Sequence, residues 1–129
     1  MAEITLEEFE ADARAFLEAN AARKDSEKKF VWGEGADKVA VFEEKDREQE
    51  LADVAVACEW RRKKFDAGFG WTFGPKQYGG RELPAAYERA YLRLEAQYEI
   101  PSQGPFVIGL GMVAPTILAH GSEVAKDLY

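Results

Sequence analysis

The sequence predicts an all-α fold of about five helices. Apolar side chains recur every three or four residues in several segments, a spacing that places them on one face of a helix. Clusters of glycine and proline separate these segments and interrupt regular structure. Thr5 and Ser122 stand where the first and last helices would begin, and their hydroxyls can accept hydrogen bonds from a first helical turn.

The first helix is expected from about residue 6 to residue 22. Thr5 and Glu8 have the spacing of a capping box, in which each side chain bonds the other residue's backbone N–H. The residues expected to face the core share an apolar character: Leu6, Phe9, Ala13, Phe16 and Leu17. The charged and glycine-containing stretch 23–38 predicts a surface loop with three apolar anchors, Phe30, Val31 and Trp32. The segment 39–42 is compatible with a short helix or an extended link.

The second helix is expected over residues 44–67. Its predicted core face comprises Leu51, Val54, Ala55, Cys58 and Phe65, with Cys58 acting as a small core residue. The basic run 60–64 is interpreted as a solvated helix face rather than a nucleic-acid site, because consecutive helical residues point in different directions. Gly68 is expected to end the helix in a left-handed conformation.

Residues 69–83 predict an irregular loop that is packed against the core. Its four glycines and one proline prevent a regular element, and its four aromatic residues favour packing. Pro84 suits the first turn of a third helix, which carries the apolar stripe Tyr87, Ala90, Tyr91, Leu94 and Tyr98.

Residues 106–119 carry no charge and predict a helix that is buried on several sides. Gly121 is expected to end it, and Ser122 to cap a last helix with Val124 and Leu128 facing inward. A helix that has just begun when the sequence stops at Tyr129 suggests the front part of a longer protein. We expect the 129 residues to form one domain.

The composition argues against several functions. The chain has 17 Lys and Arg against 24 Asp and Glu, a net charge of -7, which disfavours general nucleic-acid binding and attachment to anionic lipid. A single cysteine excludes an internal disulfide and a cysteine-based zinc site. The sequence has neither an apolar run long enough for a membrane span nor the pattern of a signal peptide, so a cytoplasmic setting is expected.

Individual candidates for chemistry have simpler structural explanations. Residues 109–114 match the dinucleotide-binding pattern G-x-G-x-x-A, but Pro115 would interrupt the helix that must follow. His120 has no second metal ligand nearby and suits a helix C-terminus. Surface pairing is expected for the glutamates Glu7, Glu8, Glu43 and Glu44. The residues by themselves therefore predict no catalytic, cofactor-binding or metal-binding site.

One combination of motifs resembles the acyl-CoA dehydrogenase family. Residues 68–71 read Gly-Phe-Gly-Trp, and residues 74–84 read Gly-Pro-Lys-Gln-Tyr-Gly-Gly-Arg-Glu-Leu-Pro. Further matches follow in the family's order: Glu95, Pro101, the apolar segment from Gly109 to Pro115, His120-Gly121-Ser122, Lys126 and Tyr129. The resemblance covers residues 68–129, and the first helix fits more loosely.

The resemblance implies an orthogonal helical bundle, the N-terminal domain of a flavin-dependent oxidoreductase. The family's β-barrel and C-terminal helical domains have no counterpart in this chain. The full-length protein would bind FAD, remove hydrogen across the α,β bond of an acyl-CoA thioester in lipid metabolism, pass electrons to an electron-transfer flavoprotein and form a homo-oligomer, a dimer or tetramer. The 129 residues alone are expected to bind no FAD and to be inactive.

What carries over from the family is the wall of the acyl-chain pocket. Its residues in this chain would be Phe106, Gly109, Leu110 and Met112, with plain core packing as the alternative for the same segment. Tyr78 and Arg81 are expected to lock the loop rather than touch substrate. A stand-alone helical interaction module without catalysis is the alternative function. Neither the acyl-chain length nor the choice between fatty and steroid substrates follows from the sequence.

Overall fold

The computed structural model describes residues 4–25 and 45–129. Within these ranges the chain forms five α-helices: α1 (Leu6–Asn20), α2 (Arg47–Asp66), α3 (Ala85–Glu95), α4 (Ala114–His120) and α5 (Glu123–Leu128). The predicted all-α fold is thereby confirmed. The expected anchors Phe30, Val31 and Trp32, the segment 39–42, and the glutamates Glu43 and Glu44 lie outside the described residues.

Helix α1 begins at the predicted capping box. The Thr5 hydroxyl accepts a hydrogen bond from the Glu8 backbone N–H at 3.2 Å, and the Glu8 carboxylate accepts one from the Thr5 N–H at 2.9 Å. Hydrogen bonds from Thr5 hold the pKa of the Glu8 carboxyl below its ordinary value. The helix ends two residues before the expected position, because the chain enters the short strand β1 (Ala22–Arg23), which pairs antiparallel with β2 (Tyr98–Glu99). Strands of two residues are too short to leave a sequence pattern.

The core lies between α1, α3 and the loop after α2. The Phe69 ring stacks on the Tyr91 ring with centroids 5.0 Å apart and meets the edge of Phe9 at 5.5 Å. The predicted apolar faces of α1 and α3 are confirmed, except that Leu6 is 38% exposed at the edge and that Tyr98, although buried, lies in β2 rather than in α3. The fully or nearly buried residues of this core are Phe9, Ala13, Leu17, Trp60, Phe69, Tyr91, Leu94 and Tyr98.

The predicted core face of α2 was wrong. Leu51 is 60% exposed, Phe65 is 50% exposed, and Cys58 is also exposed rather than part of the core. Helix α2 instead buries Ala57, Trp60 and Lys64. Its apolar side chains lie all around the helix, so periodicity does not single out one face. The face is chosen by tertiary contact, chiefly by the Trp60 ring, whose centroid lies 5.8 Å from that of Phe16.

The loop between α2 and α3 is packed, as predicted. Gly68 ends α2 with φ +88°, the left-handed conformation expected from the sequence. Arg81 Nη1 donates a hydrogen bond to the Gly68 carbonyl at 3.3 Å, and its guanidinium carbon lies 5.5 Å from the Phe9 ring centroid. The backbone N–H and hydroxyl of Thr72 both donate to the Glu88 carboxylate of α3. Arg81 thus locks the loop, as predicted.

Candidate functional site

The four residues predicted to contact substrate lie in one continuous helical segment. We call residues 104–128 the apolar arm. It starts with a 3-10 turn, Gly104–Phe106, continues as a π-helical turn, Gly109–Val113, and ends with α4 and α5. Phe106 lies in the first turn, and Gly109, Leu110 and Met112 lie in the π-helical turn. The structure therefore places all four along a short stretch of the same arm.

The apolar arm is exposed, which corrects the prediction that it is buried on several sides. Val107, Ile108 and Met112 are each at least 62% exposed. Val124 and Leu128, predicted to face inward, are also exposed. Apolar patterning indicates that a helix is covered, but it does not identify the covering surface. Among the described residues the arm packs mainly through contacts between its own elements.

Pro115 explains the shape of the arm. Proline has no N–H to donate and its ring crowds the preceding turn, so the regular helical hydrogen bonding is interrupted there. The chain widens into the π-helical turn immediately before it, a feature that is frequent at functional sites. The Thr116 hydroxyl donates to the Met112 carbonyl at 2.7 Å. Because residues 109–113 are helical, the strand-to-helix turn of a dinucleotide-binding motif is not formed.

Gly109 and Gly111, the two glycines of the π-helical turn, face open space. A Cβ atom added at Gly109 or at Gly111 would meet nothing within 4 Å. Neither glycine is therefore needed for close packing within the described part of the chain. They remove two side chains from the middle of the uncharged surface. Leu110 and Met112, 45% and 66% exposed, are the large apolar groups beside the gap.

Apart from the apolar arm, a pair of charged residues is buried between α2 and α3. Lys64 Nζ lies 3.2 Å from Glu95 Oε2, and the two side chains are only 6% and 9% exposed. The same Nζ lies 4.7 Å from the centroid of the Tyr91 ring. The interpretation of residues 60–64 as a solvated face was therefore wrong at both ends of the run, Trp60 and Lys64. The sequence feature that could have predicted the burial of Lys64 is its spacing from Ala57 and Trp60, which places the three residues on one face of the helix.

Comparison with known proteins adds the family relationship. Acyl-CoA dehydrogenase IpdE1 of Mycobacterium tuberculosis (strain ATCC 25618 / H37Rv) is 28% identical to this chain over 117 residues. The chain is distantly related to the acyl-CoA dehydrogenases. The match covers 91% of this chain and 27% of that relative, so the chain spans about a quarter of the relative's length. No protein-family model matches the chain. No solved structure matches it.

The chemistry of an open groove beside α2 fits a flavin poorly. FAD carries two phosphates, which proteins hold with cations or with backbone N–H groups at helix N-termini. An open groove of about 520 Å³ runs between α2 and residues 101–105, but Glu50 and Asp53 line it beside Lys45. Lys45 is already bonded to Asp53 at 2.9 Å. The apolar arm offers no cation between residues 104 and 119.

Two further classes of site can be assessed on the described residues. None of their His, Cys, Asp and Glu side chains forms a group of three able to hold a metal ion. Among the helices in these ranges, none has both the length and the apolar content required to cross a bilayer. His120 is the exposed last residue of α4, which matches its predicted position at a helix C-terminus.

Tyr91→Phe is expected to reduce the sensitivity of the fold to alkaline pH. The Tyr91 hydroxyl is buried and has no hydrogen-bond partner among the described residues. Burial, reinforced by the nearby Glu95 carboxylate, raises the pKa of Tyr91 far above its ordinary value. The hydroxyl therefore stays protonated in the folded protein but ionises near pH 10 when the chain unfolds. The contribution of Tyr91 to the free energy of unfolding is consequently full below about pH 10 and decreases as the pH rises further.

Urea unfolding of the two proteins between pH 7 and pH 11 measures this effect. We expect the Tyr91→Phe protein to be at least as stable at pH 7, because the change removes an unpaired buried hydroxyl. It should also lose less stability than the parent above about pH 10. An equal alkaline loss in both proteins would show that Tyr91 does not control it. Tyr129→Phe, at an 86% exposed position, is the matched control.

Proposed function

We propose that this chain is the N-terminal helical domain of an FAD-dependent acyl-CoA dehydrogenase and that its apolar arm forms part of the acyl-chain pocket wall. The observation that carries this proposal is the exposed arm, which is uncharged from residue 104 to residue 119, in a chain distantly related to such enzymes. Large exposed apolar surfaces on small domains mark sites that bind a partner or a ligand. The four predicted contact residues all lie on it.

An acyl chain is recognised by removal of its methylene groups from water, each worth about 0.8 kcal/mol when fully buried. Residues 104–119 of the arm supply suitable chemistry, because they present apolar side chains without a charge that binding would desolvate. Gly109 and Gly111 leave room for the chain, and Met112 adapts its shape to the contact. In the whole protein, bound FAD supplies the redox chemistry of α,β-dehydrogenation, with an electron-transfer flavoprotein as acceptor. The residues of this chain bind and orient the acyl group and exclude water from it.

The proposal is tested by comparing the chain alone with the enzyme assembly that contains it. The assembly, which we expect to be a homo-oligomer, should carry a flavin absorption spectrum and reduce an artificial electron acceptor when acyl-CoA is added. The 129-residue chain alone should do neither. Acyl-CoA-dependent activity of the chain alone would refute the proposal that this chain only binds the acyl group while the rest of the protein supplies catalysis. An assembly without any such activity would refute the family function and favour a stand-alone interaction module.

Gly111→Leu in that assembly should raise KM for the longest accepted acyl-CoA by roughly tenfold, the effect of overfilling a packed pocket by about 1.4 kcal/mol. KM for the shortest substrate should change little, since a short chain does not reach the added side chain. A series of acyl-CoA thioesters of increasing length measures both. Val124→Leu, on the exposed face of α5, is the control. A uniform rise in KM for every substrate would contradict a wall position for Gly111.

A further inference from the structure

The apolar arm is joined to the helical core through Arg61 of α2. The guanidinium carbon lies 5.9 Å from the centroid of the Phe106 ring. Arg61 Nη1 also donates a hydrogen bond to Oε1 of Gln103 at 3.3 Å. A guanidinium is attracted to an aromatic face and can donate hydrogen bonds from its edge at the same time. Arg61 therefore contacts the first turn of the arm and the residue immediately before the arm.

Both ends of this link are held by further contacts. Gln103 Nε2 donates to the Pro101 carbonyl at 3.2 Å, and the Gln103 carbonyl accepts from the Phe106 N–H at 3.0 Å. On α2, the preceding residue Trp60 is buried in the core. One turn further along α2, Lys64 forms an ion pair with Glu95 of α3. The Arg61 side chain thus connects a fixed helix to a fixed turn.

The rest of the arm has few means of setting its own direction. Helix α4 has seven residues and α5 has six. Helices this short depend on tertiary contacts for their stability and placement. The arm packs mainly against itself. Its orientation relative to the core is consequently sensitive to the contacts at its first turn.

We infer that Arg61 is a positioning residue that sets the direction of the apolar arm, and through it the acyl-chain length that the arm accepts. Arg61 acts through Phe106 and Gln103, which begin and precede the arm. The effect on the arm's direction is independent of the proposed function, whereas the effect on chain length rests on it.

The direction of the arm can be measured in the 129-residue chain. Cys58 is the single cysteine, is exposed and lies on α2, so it can carry a nitroxide label. Met112 is one of two methionines in the parent chain, and a 13C-labelled methyl group there reports its distance from the label through paramagnetic relaxation. The extra methionine signal of the Arg61→Met or Arg62→Met variant is identified by its absence from the parent spectrum. Loss of an exposed cation–π contact changes the ratio between two orientations of the arm by roughly two- to fivefold. In Arg61→Met we therefore expect the relaxation enhancement at the Met112 methyl group to change by a similar factor.

Three variants make this measurement decisive. Arg62→Met removes the same charge from an exposed neighbour on the same helix and should leave the enhancement unchanged. Arg61→Lys keeps a cation over the Phe106 ring and should restore part of the parent value. Gln103→Ala breaks the link from the other side and should change the enhancement as Arg61→Met does. An unchanged enhancement in both Arg61→Met and Gln103→Ala would overturn the inference.

The chain-length part is measured in the assembled enzyme with the same variants. Arg61→Met should change KM for the longest accepted acyl-CoA by roughly two- to fivefold and leave kcat for the shortest unchanged. A changed relaxation enhancement with an unchanged chain-length profile would overturn this part alone. A parent assembly without acyl-CoA oxidation would instead refute the proposed function, and the relaxation measurement would still decide whether Arg61 directs the arm.

Discussion

Replacing Lys64 with methionine is expected to lower the free energy of unfolding by about 3 to 5 kcal/mol. The change leaves the Glu95 carboxylate buried, with its side chain 9% exposed and no cation beside it. A buried charge without a partner is costly because it has lost its hydration and gained no compensating attraction. Methionine fills a similar volume, so the loss reports the charge rather than a cavity. Urea unfolding at neutral pH measures it.

A double-mutant cycle separates the pair from its parts. Lys64→Met together with Glu95→Leu should recover most of the lost stability, because two apolar side chains of similar size can replace a buried ion pair at little cost. The control is the exposed pair Lys63 and Glu59, separated by 3.5 Å on the same helix, with side chains 51% and 67% exposed. Lys63→Met should cost less than about 1 kcal/mol. Equal losses at Lys63 and Lys64 would contradict a buried role for Lys64.

Gly80→Ala is expected to destabilise the protein by about 3 kcal/mol. A Cβ atom at Gly80 would collide with the backbone carbonyl of Gly74 on the other side of the loop. That carbonyl accepts a hydrogen bond from the Glu82 N–H at 3.0 Å, so it cannot move without breaking the closure of the loop. The collision involves backbone atoms only, and a rotamer change therefore offers no relief. Thermal or urea unfolding measures the loss.

Gly111→Ala provides the matched comparison, because its new methyl group would meet nothing within 4 Å. Alanine favours helical conformations over glycine by about 1 kcal/mol, so this change should be neutral or stabilising. The two substitutions add the same methyl group, and their opposite outcomes would isolate the effect of the surroundings. A loss below about 1 kcal/mol in Gly80→Ala would show that the loop opens easily, against the packing seen here.

Where local signals were strong, the sequence predicted the structure correctly. The capping box at Thr5 and Glu8 requires only residues within one helical turn, and its hydrogen bonds formed as expected. The apolar stripes of α1 and α3 each mark a single face, so burial followed from periodicity. Gly68 adopted the left-handed conformation for which it is suited. These features depend on neighbours along the chain.

Where several faces were equally apolar, the sequence did not determine which one is buried. Helix α2 carries apolar residues on all sides, and Trp60 rather than Leu51 turned inward because the Phe16 ring was there to meet it. The apolar arm shows the same limit in a different form. Its composition indicates a covered helix, but the four predicted contact residues occur together on a surface that the described residues leave largely open.

By itself, the amino-acid sequence determined that the chain is helical, how α1 and α5 are capped, that the loop before α3 is packed, and which family the motif around Tyr78 and Arg81 resembles. Only the tertiary structure decided that Lys64 meets Glu95, that Arg61 contacts the start of the arm, and that β1 pairs with β2. The physical reason is how far apart the interacting residues lie along the sequence. Caps and helical stripes are set within a few residues, whereas these contacts join segments more than 30 residues apart and exist only once the helices have packed.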